Sequence, residues 1–290
     1  MAKSDSLLSV VVPTKNSAGT LERCLRSIRS QSYPFIEVIV VDNYSLDSTR
    51  EIATQLADQV LVCGPERSMQ RNYGASAASG LYLLMIDSDM ELSANVAGSC
   101  VKVLDRDPDV AAVVIPEESF GDGFWSRCKQ LERSFYVGVP WIEAARCFRK
   151  TSYEAVGGYD ADLISGEDWD LASRVARIGA IGRVAELIYH NEGHITLRRT
   201  LRKKFYYARN AGAFLDQNPE KSLLLSQVGP LKRYALFFSK PKRLLGSPLV
   251  GAAMLFMKSG EFIVGGLGYL LSRSGRGKWN NGGGIDAENL

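Results

Sequence analysis

Short unbroken apolar runs alternate with amphipathic stretches through the first half of the chain. Residues 7–12 (LLSVVV) read as a buried strand ended by Pro13, and residues 37–41 (EVIVV), 60–63 and 82–86 (YLLMI) repeat the pattern. Between them, residues 21–30, 48–57 and 72–78 have helical patterning. Continuous apolar strands that alternate with helices predict an α/β fold built on a parallel sheet covered on both faces. Ligands of such sheets gather at the carboxyl ends of the strands. Three polar clusters fall there, at residues 14–16, 42–45 and 87–89.

The middle of the chain is mixed. Residues 110–115 read as a strand, 124–136 as an aromatic-bearing helix and 147–149 as a short extended piece. Residues 167–178 read as a helix stopped by Gly179, and 182–189 as a last strand. Beyond Leu197 the texture changes. Arg198, Arg199, Arg202, Lys203 and Lys204 form a basic cluster on a helix, and Lys232, Arg233, Lys240, Lys242 and Arg243 form a second. An apolar stretch follows at 244–271, interrupted by Pro248, Lys258, Glu261 and several glycines. Its clean part, 249–257, falls short of the about 20 residues that span a bilayer. The expectation is an interfacial or re-entrant element with its basic clusters on headgroups. Residues 280–284 read as a loose tail.

Length and composition narrow the class. A chain of 290 residues accommodates about two domains. At 46% hydrophobic and 23% charged it is neither disordered nor a polytopic membrane protein. The net charge of +3 hides an asymmetry. Residues 196–290 hold 16 Lys/Arg against 5 Asp/Glu, and residues 1–195 hold 19 against 27. An acidic body thus carries a basic end, which suits an anionic surface such as lipid or nucleic acid. The five cysteines are scattered without metal-ligand spacing, the pattern of reduced thiols in a cytosolic setting. The opening residues enter a strand pattern directly rather than a signal-peptide pattern.

Several side chains are candidates for chemistry, each with a plainer alternative. Asp87 and Asp89 follow the strand YLLMI, and strand spacing turns both carboxylates the same way. They suit Mg²⁺ or Mn²⁺ bound with diphosphate oxygens, or an ordinary polar turn. Glu167 and Asp168 open a helix as a carboxylate base beside such a site, or as the acidic first turn of a helix capped by Ser165. His190 and His194 sit at a strand-to-loop junction as a further metal ligand or as surface histidines. Arg67 and Arg71 could grip a diphosphate or lie on a solvated face. Neither a dinucleotide fingerprint nor a Walker loop is present, and no nucleophile elbow joins Ser, His and Asp.

Taken in order, VVVPTKN (10–16), VVDNYSLDST (40–49), RNYGASAASGLYLLMIDSD (71–89) and FRKTSYEAVGGYDADLISGEDWDL (148–171), with a late histidine, resemble a family 2 glycosyltransferase. The resemblance implies the GT-A nucleotide-sugar-binding fold, with a mostly parallel central sheet, over residues 1–195. Residues 1–115 would bind nucleotide and 116–195 would meet the acceptor. Residues 196–290 would form a basic, apolar helical region that associates with membrane.

The resemblance also implies site residues. Pro13, Thr14 and Asn16 match a nucleotide-contacting turn, Asp42 an acid that accepts from the base, and Arg71 a basic residue near the nucleotide. Asp87 and Asp89 match the metal pair, with Asp89 the direct ligand, and His190 matches a further metal-binding position. Asp168 matches the general base, with Glu167 beside it. Two departures stand out: Asn43-Tyr44 where the family often has Asp-Gly, and Lys15 and Ser17 where an aromatic and an acid are common.

The expected activity is inverting transfer from a nucleotide-diphosphate sugar to an acceptor hydroxyl, with Mn²⁺ or Mg²⁺. The expected partners are a lipid-linked or glycan acceptor and an anionic membrane surface. The expected place is the cytoplasmic face of a membrane, as a peripheral or monotopic protein. A soluble transferase with an oligomerising tail is the alternative within the class. A non-catalytic nucleic-acid-binding module is the alternative outside it, disfavoured because aromatic residues are not interleaved with the basic clusters.

Overall fold

The structure is a computed structural model that describes residues 5–163, 166–217 and 229–273. The Ser165 cap and the tail at 280–284 lie outside these residues. The chain forms two compact units. The first comprises Met1–Glu118, Val137–Ala161 and Glu167–Asn191; the second comprises Ser119–Tyr136, Asp162–Gly166 and Glu192–Leu290.

The first unit begins with β1 (Leu8–Thr14), α1 (Leu21–Arg29), β2 (Ile36–Asp42), α2 (Thr49–Leu56), β3 (Gln59–Val62), α3 (Arg67–Ala77) and β4 (Tyr82–Met85). It continues with β5 (Met90–Leu92), α4 (Val96–Arg106), β6 (Val110–Val114), β8 (Ala145–Arg149), α6 (Lys150–Ala155), α7 (Glu167–Val175) and β9 (Ala180–Arg183). Between β6 and β8 run β7 (Glu117–Asp122) and α5 (Phe124–Ser134), and β10 (Ile188–His194) follows β9. Seven strands form one sheet in the order β3-β2-β1-β4-β8-β6-β9. The sheet is mostly parallel, but β8 runs antiparallel to both β4 and β6. One face packs on α1 and α4 through residues such as Leu25, Ile28, Cys100 and Leu104. The other packs on α3, α6 and α7 through Ala75, Tyr153 and Leu171.

Several segments differ from the pattern expected above. The helix expected at 72–78 starts five residues earlier, because α3 buries Ser68, Gln70, Arg71 and Gly74, a face with too little apolar character to show as periodicity. The strand expected at 182–189 is two strands, and His190 pairs with Met90 inside β10 rather than marking a junction. Polar β10 and the very short β5 belong to a three-stranded sheet in the order β5-β10-β7, which alternation cannot reveal.

The second unit contains α5, α8 (Leu197–Gln217), α9 (Pro230–Phe238), α10 (Pro241–Leu245) and α11 (Pro248–Arg273). The interruptions expected in the apolar stretch do not break it. Pro248 is the first residue of α11, where its missing N–H costs nothing. Lys258 and Glu261 lie inside a continuous helix of 26 residues. Residues 248–272 are long and apolar enough to cross a membrane by length and composition. α11 packs along α8 and α5. At Gly268 a Cβ would stand 2.7 Å from the Phe205 carbonyl oxygen, so the glycine permits close approach of α8.

Candidate active site

The carboxyl ends of β1 and β2 lie side by side, with Thr14 in register with Asp42. Asp42 is buried, and its carboxylate accepts from the Ser45 backbone N–H at 2.9 Å and from the Ser45 hydroxyl. Asn16 Oδ1 accepts from Leu46 N, tying the turn after β1 to the turn after β2. Tyr44 takes a φ of +50° in that turn, where glycine would be unstrained. Gln70 of α3, a residue the motifs did not signal, donates to the carbonyls of Thr14 and Val41. Pro13 lies within β1, opposite Val41. The Thr14 hydroxyl is buried without a hydrogen-bond partner.

The Asp87 and Asp89 carboxylates take different partners. They lie beyond β4 in a turn closed by Met90 N donating to the Asp87 carbonyl, so the alternation assumed for a strand does not apply. Asp87 turns to two guanidiniums: Oδ1 is 2.6 Å from Arg71 Nη2, and Oδ2 is 3.6 Å from Arg146 Nη1. Burial would raise its pKa, but Arg71, Arg146 and Arg67 outweigh it and hold the carboxyl well below the usual range. Asp89 turns to His190, with Oδ2 and Nε2 3.2 Å apart. The Asp89 carbonyl accepts from Asn191 N at 2.8 Å, so β10 carries the histidine to the turn.

Arg71 links the two acidic motifs. It is neither solvated nor turned outward: its side chain is 1% exposed. Beyond Asp87 it reaches Glu167 Oε1 and Asp168 Oδ1, each at 3.4 Å, and it lies 4.9 Å from the Tyr159 ring centroid. Arg67, half exposed, also reaches Glu167, at 3.5 Å. Glu167 and Asp168 open α7, where the helix dipole favours negative charge. Burial raises the Glu167 pKa, and neighbouring Asp168 adds to it. Asp168 is 27% exposed. Its Oδ1 accepts from the Tyr159 hydroxyl at 3.0 Å, and its Oδ2 makes a long ion pair, 4.0 Å, with Arg146 Nη2.

Arg146, Glu117, Tyr159 and Asn72 are further members that sequence reasoning missed. Because β8 is antiparallel, its first residues lie beside the carboxyl ends of its neighbours, with Ala145 opposite Val114. Arg146 is thereby brought to the site, paired with Glu117 through Nε. Asn72 fixes Tyr159: Oδ1 accepts from Tyr159 N and from the Tyr153 hydroxyl, and Nδ2 donates to the Tyr159 carbonyl. The available signals were an Arg opening a strand and an Asn one residue after Arg71. Neither carries meaning until the sheet order is known. His194 lies elsewhere, beside Gly123 in the second unit.

Asp89 and His190 fit a hard divalent cation. Ligands about 2.1 Å from one ion at roughly right angles stand about 3 Å apart, as these two atoms do. No cluster of three His, Cys, Asp or Glu suited to a metal occurs among the described residues. A cation here would take its other ligands from phosphate oxygens and water, as Mg²⁺ commonly does.

The fold thus gathers an acidic turn after β4, a buried arginine and a carboxylate-led helix at one end of a mostly parallel sheet. Residues 9–151 match the family model described as Glycosyl transferase family 2, which supports a family 2 glycosyltransferase. A stretch of 98 residues is 35% identical to glycosyltransferase AglE of Haloferax volcanii, covering 31% of this chain and 32% of that protein. A longer match is 28% identical over 242 residues to the pre-mycofactocin glycosyltransferase of Mycobacterium tuberculosis, covering 74% of this chain and 49% of that protein. The chain thus spans about a third to a half of the length of these relatives.

Among solved structures, mannosyltransferase PcManGT from Pyrobaculum calidifontis, in complex with GDP-Man and Mn²⁺, aligns with a TM-score of 0.61 at 19% identity. That alignment covers 93% of this chain and 89% of the other. TarS 1-349 of S. aureus aligns with a TM-score of 0.51 at 15% identity, covering 93% and 92%. The shared architecture is the GT-A fold.

Proposed function

We propose that the chain transfers a sugar from a nucleotide-diphosphate donor to an acceptor hydroxyl, with inversion and with a divalent metal. The observation that carries this reading is the single ionic network by which Arg71 joins the Asp87 turn to Asp168. It brings together a diphosphate-facing end and a carboxylate able to take a proton. The family-model match and the resemblance of the fold to a GDP-Man complex support the donor class.

In this reading the donor's base lies over the turns at Thr14–Asn16 and Asp42, whose carboxylate is already fixed by Ser45. Pro13 shapes the first of these turns. Arg71 and Arg146 counter the negative charge that grows on the leaving diphosphate. Asp89 and His190 would hold Mn²⁺ or Mg²⁺, which supplies Lewis-acid neutralisation of the same charge. Asp168 Oδ2 takes the proton of the acceptor hydroxyl while Tyr159 and Arg71 hold Oδ1. The acceptor oxygen bonds to the anomeric carbon as the bond to the diphosphate oxygen breaks, and that oxygen leaves with the electron pair. One displacement from the opposite face inverts the centre. Glu167, whose pKa is raised by burial and by Asp168, lies beside the base and pairs with Arg67 and Arg71. The acceptor class we assign is a lipid-linked or surface glycan hydroxyl.

A screen of nucleotide sugars, read as release of free nucleoside diphosphate with and without Mn²⁺, tests the reading. Release that depends on acceptor, on Mn²⁺ and on Asp89 is expected. Full release by Asp89→Ala in EDTA would overturn the metal role, and no release with any donor would overturn the activity.

A further inference from the structure

The second unit carries an apolar surface that sugar transfer does not use. Along α11, Leu249, Phe256, Ile263, Leu267 and Leu270 are 51–73% exposed. Their spacing of seven, seven, four and three places them on one side of the helix. The charged residues of α11 whose side chains are described, Lys258 and Glu261, are both buried. Leu231 and Phe238 of α9 and Leu245 of α10 extend the exposed apolar set, at 86%, 59% and 65%. Such an array exceeds the scattered surface leucines of an ordinary soluble domain.

Among the described residues from Thr196 on, the exposed charges have one sign. Lys232, Lys242 and Arg243 are exposed on α9 and α10, and Arg198 and Arg202 are exposed on α8. From Thr196 on, Glu261 is the acid whose side chain is described, and it is buried. Apolar side chains flanked by exposed lysine and arginine match an acyl boundary under anionic headgroups.

We propose that the exposed face of α9, α10 and α11 docks in the plane of an anionic lipid bilayer without crossing it. The buried charges decide between lying and spanning. Lys258 and Glu261 are the eleventh and fourteenth of 26 residues, so a spanning α11 would put them near mid-bilayer. Lys258 Nζ is 2.7 Å from both Glu132 and Glu261, and Lys129 Nζ is 2.9 Å from Glu132. This network ties the middle of α11 to α5. A spanning α11 would drag α5 into hydrocarbon with its exposed Arg127, at a large cost in lost hydration. A helix lying in the interface keeps the network on its protein side and the leucine face on the lipid side. Docking goes beyond the sugar-transfer reading and stands without it.

Flotation of the full chain with vesicles tests this. The chain should float with phosphatidylcholine–phosphatidylglycerol vesicles, more weakly at high salt and weakly with phosphatidylcholine alone. Alkaline carbonate should strip it. Leu249→Ser, Phe256→Ser, Ile263→Ser and Leu267→Ser combined should abolish flotation with wild-type melting, and Lys232→Glu with Lys242→Glu should remove the preference for anionic lipid. Absence of flotation, carbonate resistance, or a dimer that the four serine substitutions dissociate would overturn the proposal. Nucleotide release measured in parallel without vesicles reads donor turnover separately, so failure of one reading leaves the other standing.

Discussion

Two buried ionic clusters, one in each unit, differ in closure. In the second unit Lys129 and Lys258 face Glu132 and Glu261 on helices, with close pairs at 2.7–2.9 Å, and burial and the nearby lysines lower the pKa of Lys204 on α8 beside them. Tyr136 adds its hydroxyl to Glu132, and the carboxyls of Glu132 and Glu261 are held below their usual range: burial opposes this, but the lysines prevail. In the first unit Arg67, Arg71 and Arg146 face Asp87, Glu117, Glu167 and Asp168, with several contacts at 3.4–4.0 Å. There Arg71 Nε and Arg146 Nη1 are buried without hydrogen-bond partners, and Asp168 is partly exposed. A closely paired cluster fixes how helices pack. A loose one at strand ends, with donors to spare, is suited to receive a charged ligand.

The largest expected effect separates the clusters by function. Asp168→Asn keeps the oxygen that accepts from Tyr159 but lowers transfer roughly a hundred- to ten-thousand-fold, with melting little changed. Steady-state turnover beside calorimetry checks it, and near-wild-type turnover would return Asp168 to a purely capping role.

The closed cluster should respond the other way. Lys258→Met leaves buried carboxylates short of a partner and should cost about 3–5 kcal/mol of stability. Lys258→Met with Glu132→Leu removes one charge of each sign and leaves Lys129 facing Glu261 at 3.4 Å, so it should cost less than Lys258→Met alone, chiefly the acceptor that the Tyr136 hydroxyl loses. Denaturant unfolding distinguishes the two. Depressed carboxyl pKa values mean that the cluster contributes fully above the unfolded value of about 4.3. That contribution falls away as pH drops through the folded values. The double variant should therefore show a shallower loss of stability in acid.

Support around the base is a smaller matter. Asn72→Ala strands the Tyr159 backbone groups and should cost about 1–3 kcal/mol, with less loss of turnover than Asp168→Asn. Smallest in free energy is His190→Gln, which should raise the Mn²⁺ concentration needed for activity at least about tenfold while melting stays unchanged. A calorimetric Mn²⁺ titration checks it, and unchanged affinity would remove His190 from the cation's ligands.

By itself the sequence determined the alternation of buried strands and helices, and thereby where the chain leaves the sheet. Hydrophobic continuity over four to seven residues is local, and the polar clusters at 14–16, 42–45 and 87–89 follow each run directly. It also determined the Glu167-Asp168 helix start and the basic, apolar character of the C-terminal region. Tertiary structure decided which charges meet. Arg146 reaches Asp87 because β8 inserts antiparallel between β4 and β6, a choice made by pairing across more than sixty residues and invisible to periodicity. Asp87 and Asp89 take different partners, carried by a turn and not a strand. Lys258 and Glu261, which read as interruptions of an apolar stretch, become its buried anchor because Glu132 and Lys129 on α5 cancel their charge. Burying an ion is costly without a partner, and the partner is supplied by distant chain.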